Sequence, residues 1–558
     1  MSNVAAESSA NGNGGKTFFG HPKGLQTLFF TEMWERFSYY GMRAFLVVYI
    51  STSVSKGGLG ETAATAGIFY GLYGSSIYLM SLPGGWIADR FIGQRMAVLI
   101  GGVIIMLGHI SLAIPSYSTF LLGLGLLVVG TGMLKPNVST IVGQLYDKND
   151  PRRDAGYTIY YMGINIGAFA APIVCGFLAQ SDIFRHFLAG NTVTAYVPLA
   201  GWELVSFGGP GIDPNNAWHF GFGAAAVGML AGVIQFVYGW KYLGDAGAPP
   251  DRAKLAQGTP LPAPAWIIAG VGAFIIALAT FLIFDAGGVT KSTIADAFGV
   301  GLGVISVCLF AIMYWYVARD ADERRRVLAM MVLFLGCLSF FGLFEQAGST
   351  LSLFAEEKVQ RKLLIDFPSS YYQFLNAAYV IMFAPVFAAI WVLLARKGRE
   401  PTSVTKFSIG MVITALSFAV LLPPLLGPIA RGEQISGLWL FAYYLVITWA
   451  ELCISPVGLS TMNKLAPDRL AGFVMGIWFL ATAVGYYIAG RAEEKVGGLA
   501  HDLGLHPQAG LFYLLILFAL VIAAVLYLFA GPVKRMLERT PDLPRAQVVS
   551  ASTGDPSL

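Results

Sequence analysis

Glu32, Glu35, Arg36, Tyr39, Tyr40 and Arg43 fall within one stretch, TEMWERFSYYGMRAFLVV at 31 to 48. Their spacing follows the i, i+3, i+4, i+7, i+8, i+11 series, so all six share one helix face, with Phe30, Met33, Phe37, Ala44 and Val48 opposite. A stripe of two carboxylates and two guanidiniums can exchange protons, pair internally or hold an anionic group. Further single charges stand in apolar surroundings: Lys135 in GLLVVGTGMLKPNVST, Glu345 in SFFGLFEQAGSTLSLF and Glu451 in YYLVITWAELCISPVGLS. Pro136 follows Lys135 and removes a helix hydrogen bond, which predicts a kink beside the ammonium. The first half thus offers Arg36, Arg43 and Lys135 against Glu32 and Glu35, while the second offers Glu345 and Glu451 without a basic partner at similar depth. Cations on one wall and carboxylates on the other suit a zwitterion with its charges at opposite ends. Two or three extended peptide units, spanning roughly 7 to 10 Å, have that reach. Tyr39, Tyr40, Tyr78, Asn165, Asn376, Ser455 and Trp478 supply hydrogen-bonding groups and ring surfaces around these charges. The alternative is structural: a ladder of ion pairs locking helices together, Lys135 reaching the interface and the lone glutamates neutral and hydrogen-bonded.

Such charges need a scaffold that tolerates them. Of the 558 residues, 56% are hydrophobic and only 12% charged, with mean hydropathy +0.64, whereas a soluble domain carries about a quarter charged residues. This is the composition of an all-α polytopic membrane protein. A spanning helix needs about 20 mainly apolar residues, and such stretches are expected at 25–52, 63–88, 96–114, 118–145, 156–179, 217–243, 263–285, 296–318, 327–354, 369–396, 404–426, 437–465, 470–490 and 509–532. An even number, fourteen, places both termini on one side. The start, MSNVAAESSANGNGGKTFFGHPKG, lacks the apolar run of a signal peptide and reads as a disordered tail. With both termini cytoplasmic, KNDPRRD, RDADERRR, ARKGRE and VKRMLER all lie inside, and EEKVQRK at 356 to 362 is the basic exception outside. Those clusters account for the net charge of +4, and no nucleic-acid signature is present. Cys175, Cys308, Cys337 and Cys453 all lie within expected spans, where they pack as small hydrophobes rather than build disulfides.

The organisation expected is a disordered cytoplasmic tail (1–24), a six-helix bundle (25–243), a linker with two inserted helices (244–326), a second six-helix bundle (327–532) and a tail (533–558). The inserted helices lack ionisable residues between Trp266 and Ile283 and between Phe298 and Val317, so they read as lipid-facing accessories without chemistry. The loop at 181–216 is the longest external one, and GGPGIDPNN within it signals turns. GGWIADRFIGQR at 84 to 95 closes the second span with Gly85, Asp89, Arg90, Gly93 and Arg95. It resembles the loop motif of the major facilitator superfamily, in which two six-helix bundles rock around a central cavity. The corresponding loop of the second half, LLARKGREPTS, keeps only the basic residues.

ExxER at Glu32 to Arg36 followed by FSYYG, then GTGMLKPNVS, YYMGINIGA, FEQAGSTLSLFA and ELCISPVGLS, resemble in order the motifs of the proton-dependent oligopeptide transporter family, with its bacterial six plus two plus six layout. The resemblance implies a symporter of di- and tripeptides across the cytoplasmic membrane, not an enzyme, with protons as coupling ion and no other cofactor or metal. Peptide, protons and membrane lipid are then the partners. By the same resemblance Arg36, Arg43 and Lys135 meet the peptide carboxylate, while Glu451, Asn165 and Asn376 form the amino-terminal pocket. Glu32, Glu35 and Arg36 serve proton coupling together with Glu345. Arg43, Lys135, Glu345 and Asp89 serve gating, Glu345 pairing with Arg43 across the two halves. In the coupling scheme, deprotonated Glu35 holds Lys135 or Arg36, and a proton frees that cation for the peptide. Two departures stand out: Phe341 replaces a Trp expected in some relatives, and the second span has no His, His109 and His219 lying elsewhere as span-end residues. The rival with the same fold is a carrier of nitrate, an amino acid or a drug. Peptide length, proton stoichiometry, oligomeric state and the ranking of Glu32 against Glu35 are not fixed by the sequence.

Overall fold

The computed structural model describes residues 17–147, 150, 152–196, 203–249, 290–362, 365–465, 471–507 and 509–538. Its long helices are α1 (Gly24–Ser51), α2 (Ala63–Ile87), α3 (Gln94–Leu112), α4 (Tyr117–Gln144), α5 (Arg153–Gln180) and α6 (Ala217–Gly239), then α7 (Lys291–Ile312), and finally α8 (Ala321–Phe344), α9 (Phe374–Arg396), α10 (Ser403–Ala419), α11 (Leu438–Leu465), α12 (Ala471–Arg491) and α13 (Gly510–Glu538). Each overlaps an expected span, most to within a few residues, while α8 starts six residues early and stops ten short of the 327–354 expectation. The expected span at 263–285, most of the linker, residues 1–16 of the first tail and 539–558 of the last lie outside the described residues. Among those described, ten helices are long and apolar enough to cross a membrane. The architecture is the major facilitator fold, two six-helix bundles plus the inserted helices.

Local chemistry sets the helix starts. Thr62, Thr290, Asp320 and Thr402 each accept the backbone N–H of the residue three positions on, which satisfies a donor the first turn leaves open. In the first bundle α1 packs on α5 and α6, α3 on α4 and α6, and α2 on α4. In the second, α8 packs on α12 and α13, α10 on α11 and α13, and α9 on α11. The bundles meet where α2 lies along α12 and α5 along α9. α1 is buried along most of its length, charged residues included, so its polar stripe never meets lipid.

The α2–α12 seam is made of glycine. A Cβ on Gly67 would stand 2.6 Å from the Gly490 oxygen, and one on Gly71 3.0 Å from the Gly490 Cα. Only glycines let these backbones approach so closely. Helices alternate in direction, so one end of the molecule holds the close of α1 and α12 and the start of α2 and α9. We call it the Ser51 side and the opposite end the Gly24 side.

Three expectations are revised. The span at 327–354 is not continuous: α8 stops at Phe344, Glu345–Gly348 form a 3-10 turn, and a new helix runs Thr350–Lys358. The break arises where Gly348 lets the Tyr70 ring of α2 sit against bare backbone. The 181–216 loop holds, besides its turns, a short helix Asp182–Leu188 and an antiparallel pair, Val193–Tyr196 with Glu203–Phe207. The second inserted helix, α7, is not simply lipid-facing. Val300, Val304 and Val307 are exposed, but Ala295, Phe298 and Leu302 are buried, and α7 seats on both α2 and α12. Its first turns pair Lys291 with Glu61 of the first bundle, and Asp296 with Arg491 at 2.7 Å in the second.

Candidate functional site

On α1 the carboxylates of Glu32 and Glu35 flank one guanidinium. Glu32 Oε1 lies 3.1 Å from Arg36 Nε, and Glu35 Oε2 also pairs with that nitrogen. All three residues are at least 95% buried. The two glutamates nevertheless have different surroundings. Tyr160 of α5 donates its hydroxyl to Glu32 Oε2 at 2.7 Å, whereas neither oxygen of Glu35 receives an aligned hydrogen bond. Arg36 also lies over the Tyr39 ring, 5.3 Å from its centroid. Lys135 of α4 is within electrostatic reach of Glu32, Glu35 and Arg36, but its ammonium rests on the Tyr78 ring at 3.7 Å rather than in an ion pair. Of the two cations expected to be held by Glu35, the structure therefore selects Arg36.

A second charge cluster joins the bundles. Arg43 Nη2 meets Glu345 Oε2 at 2.5 Å, the Tyr70 hydroxyl donates to the same oxygen at 2.7 Å, and Arg43 Nε donates to Tyr70 at 2.8 Å. The helix break after Phe344 presents Glu345 to Arg43 from the first turn of new geometry. Arg43 also stands over the rings of Tyr40, Tyr70 and Tyr486. Nearby Tyr39 and Tyr486 share a 2.9 Å hydrogen bond between bundles, and Ser75 donates to the Ala483 carbonyl at 2.7 Å. Towards the Ser51 side, Gln180 of α5 donates to Ser369 at 2.9 Å and accepts from the Ser370 N–H at 3.1 Å. Arg361 there bonds the Gln180 carbonyl and pairs with Asp182 at 3.4 Å. Among the described residues these polar bundle-to-bundle contacts all lie on the Ser51 half.

Facing α1 from the second bundle, Asn376 of α9 donates to Glu451 Oε2 at 2.8 Å and to Thr448 at 3.1 Å. Glu451 and Asn376 are half-buried, and the exposed Tyr161 of α5 lies within electrostatic reach of Glu451 and Tyr40. Trp478 packs edge-on against Phe341, ring centroids 6.2 Å apart, so the Phe that replaces the expected Trp still completes an aromatic wall. Asn165 is turned to its own helix, donating to the Tyr161 carbonyl, and the Ser455 hydroxyl is buried without a partner. Neither hydrogen-bonds Glu451. Asp89 sits exposed at the Gly24 end of α2, accepting from the Gln94 amide at 2.8 Å. His109 is buried in α3, and His219 lies 3.2 Å from the Leu112 carbonyl, both apart from these clusters.

Reading from residues alone overlooked Tyr70, Tyr160, Tyr486 and Thr448. The signal for Tyr70 was its place among Gly67, Gly71 and Gly74, where a helix turns a side-chain-free face to a neighbour. Among the described residues no group of His, Cys, Asp and Glu could hold a metal ion. The arrangement binds charges of both signs from opposite walls and can exchange protons on buried carboxylates; it offers no nucleophile paired with a base.

The model of the POT family matches residues 95–496. The chain is 38% identical to the uncharacterized transporter YclF of Bacillus subtilis, over 96% of this chain and 99% of that one. It is 35% identical to the di-/tripeptide transporter of Lactococcus lactis subsp. cremoris, over 84% and 88%. A crystal structure of a peptide transporter POT in complex with sulfate superposes with a TM-score of 0.77 at 37% identity, covering 93% of this chain and 97% of that one. By these matches the chain belongs to the POT family of peptide transporters.

Proposed function

We propose that the protein is a proton-coupled symporter of di- and tripeptides in the cytoplasmic membrane, working by alternating access. The observation that carries this reading is the division of charge: Arg36, Arg43 and Lys135 stand on the first bundle, and Glu451 with its Asn376 partner stands on the second. A peptide laid between them presents its carboxylate to the cations and its ammonium to Glu451. Tyr39, Tyr40, Tyr78, Asn165, Ser455 and Trp478 complete the binding surface. Residues 25–243 and 327–532 are the two bodies that rock, and 244–326 join them. Basic residues crowd the Gly24 side, among them Arg152, Arg324, Arg325, Arg396, Lys397 and Arg535, which supports reading that side as the cytoplasmic one. The contacts gathered on the Ser51 half then describe a state closed to the outside.

Coupling follows from the clusters. Glu35, charged, holds Arg36 and draws on Lys135; a proton on its carboxylate relaxes that hold and frees the cation for the peptide. Proton and peptide thereby favour one state of a shared equilibrium. Arg43 and Glu345 part and rejoin as the gate, with Lys135 and Asp89 on the path of closure. One proton moving down 100 mV supplies about 2.3 kcal/mol, enough for nearly fifty-fold accumulation. The test is uptake of labelled Ala-Ala by proteoliposomes with and without an imposed proton gradient, competed by alanine, tripeptides and tetrapeptides. Gradient-dependent uptake blocked by tripeptides is expected. Absence of both uptake and competition overturns the reading, and competition by alanine alone moves the cargo to amino acids.

A further inference from the structure

The proposed coupling leaves two glutamates beside one arginine and does not say why they should behave differently. We propose that Tyr160 separates their roles: it is a positioning residue whose hydroxyl fixes Glu32 as the permanent counter-ion of Arg36, leaving Glu35 to take up the proton. This rests on the symport reading above. Tyr160 and Tyr161 are neighbours on α5 but point apart, as adjacent helical residues must. Tyr161 is 52% exposed, whereas Tyr160 is 7% exposed and turned onto α1.

The geometry supplies the asymmetry. Glu32 has a partner at each oxygen, Arg36 Nε at 3.1 Å on Oε1 and the Tyr160 hydroxyl at 2.7 Å on Oε2. Arg36 Nε contacts Glu35 Oε2 as well, but neither Glu35 oxygen makes an aligned hydrogen bond and, among the described residues, no donor from another helix reaches it, so Tyr160 is what distinguishes the two carboxylates. A phenol that donates to a carboxylate favours the charged form of that carboxylate, and burial without donors favours the neutral form. The titratable and charged groups around Glu32 are Glu35 and Arg36 on α1, Lys135 on α4 and Tyr160 on α5, with Tyr73 and Tyr78 of α2 on the flank of Arg36 and Glu35. Two carboxylates with one guanidinium carry a net charge of minus one. A proton bonding to a Glu35 oxygen brings the trio to zero while the Arg36–Glu32 pair stays intact; on release the same O–H bond breaks and the proton passes to water.

The test uses the purified full-length protein and the variants Tyr160→Phe, Glu32→Gln, Glu35→Gln and the double variant Tyr160→Phe with Glu32→Gln. Infrared titration follows the carboxylic-acid C=O band, and proteoliposomes give gradient-driven Ala-Ala uptake against pH. The band that rises on acidification should vanish in Glu35→Gln and persist in Glu32→Gln. In Tyr160→Phe a second acid C=O band should appear on acidification, because the hydroxyl donated to Glu32 is gone. The uptake profile should move with it, and in the Glu32→Gln background Tyr160→Phe should change neither. Absence of that second band in Tyr160→Phe overturns the proposal, as does slower uptake with an unshifted pH profile, which is what a packing role gives. Loss of the first band in Glu32→Gln rather than Glu35→Gln also overturns it. Absence of uptake by the parent protein would defeat the symport reading alone, since the infrared titration still decides what Tyr160 does.

Discussion

Glu345→Gln keeps the size of the gate residue and removes its charge. In the parent, Arg43 and Glu345 are 94% and 97% buried, and one Glu345 oxygen takes both the Arg43 contact at 2.5 Å and the Tyr70 hydroxyl at 2.7 Å. Cutting one partner from a buried ion pair costs about 3 to 5 kcal/mol, because the other charge stays buried and uncompensated. The Gln amide oxygen and the Tyr70 hydroxyl still accept from Arg43, so the lower end, about 3 kcal/mol, applies. The cost falls only on the state in which Arg43 is enclosed between the bundles. Opening the Ser51 side restores water to Arg43, so the closed-to-open ratio should drop about a hundred-fold. Ser370 reports on it: it is fully buried at the seam with its N–H on Gln180. With the four native cysteines replaced and Ser370→Cys introduced, alkylation by a membrane-impermeant maleimide should accelerate by about that factor in Glu345→Gln, and peptide uptake should fall steeply. Labelling and uptake both equal to the parent would refute the idea that this pair holds the closed state.

Further outcomes are as concrete. Glu35→Gln should abolish concentrative uptake under a proton gradient yet leave counterflow exchange of peptide; gradient-driven accumulation that persists would remove Glu35 from coupling. Glu451→Gln deletes a charge that Asn376 orients at 2.8 Å and should weaken peptide binding about ten- to a hundred-fold, the worth of one charge-assisted hydrogen bond, measured as KM in exchange. Gly490→Val puts two methyls where the α2 backbone lies. Overpacking costs about 1 to 3 kcal/mol, so labelling at position 370 should rise at least several-fold. Lys291→Met removes the Glu61 pair, whose side chains are 39% and 24% exposed; about 0.5 kcal/mol is expected, a two-fold change in labelling or less.

The stripe on α1 was legible because helical period alone determines which residues share a face, and burial of that face follows from the cost of charge in lipid. Span positions were legible for the same reason that hydropathy works at all: backbone groups in lipid must be satisfied within the helix. The break at Glu345 was hidden, since apolar length says nothing of a 3-10 turn and the cause, Gly348 under the Tyr70 ring, sits on two distant helices. Tyr160 and Tyr486 were invisible for a related reason. A tyrosine in an apolar helix fits packing as well as hydrogen bonding, and only the neighbouring helix decides. Lys291 and Asp296 were assigned to a loop or a span edge, whereas α7 begins early enough to carry both onto the bundles.

The glycine seam between α2 and α12 has a kinetic consequence. Gly67, Gly71 and Gly490 bring backbone to backbone, so along this stretch no side chains interlock, and the side-chain packing of the seam begins only beyond it, where Tyr486 sits against Gly74 and the Tyr70 and Tyr78 rings. Interdigitated side chains would act as gear teeth, each notch adding to the barrier; this contact is a plain bearing. Beside this stretch the resting position is held by discrete polar links, Arg43 to Glu345, Tyr39 to Tyr486 and Ser75 to Ala483. At such a bearing a change of charge on one side chain, Glu345, acts directly on the position of the helices, with no interlocked side chains along the glycine stretch to absorb it.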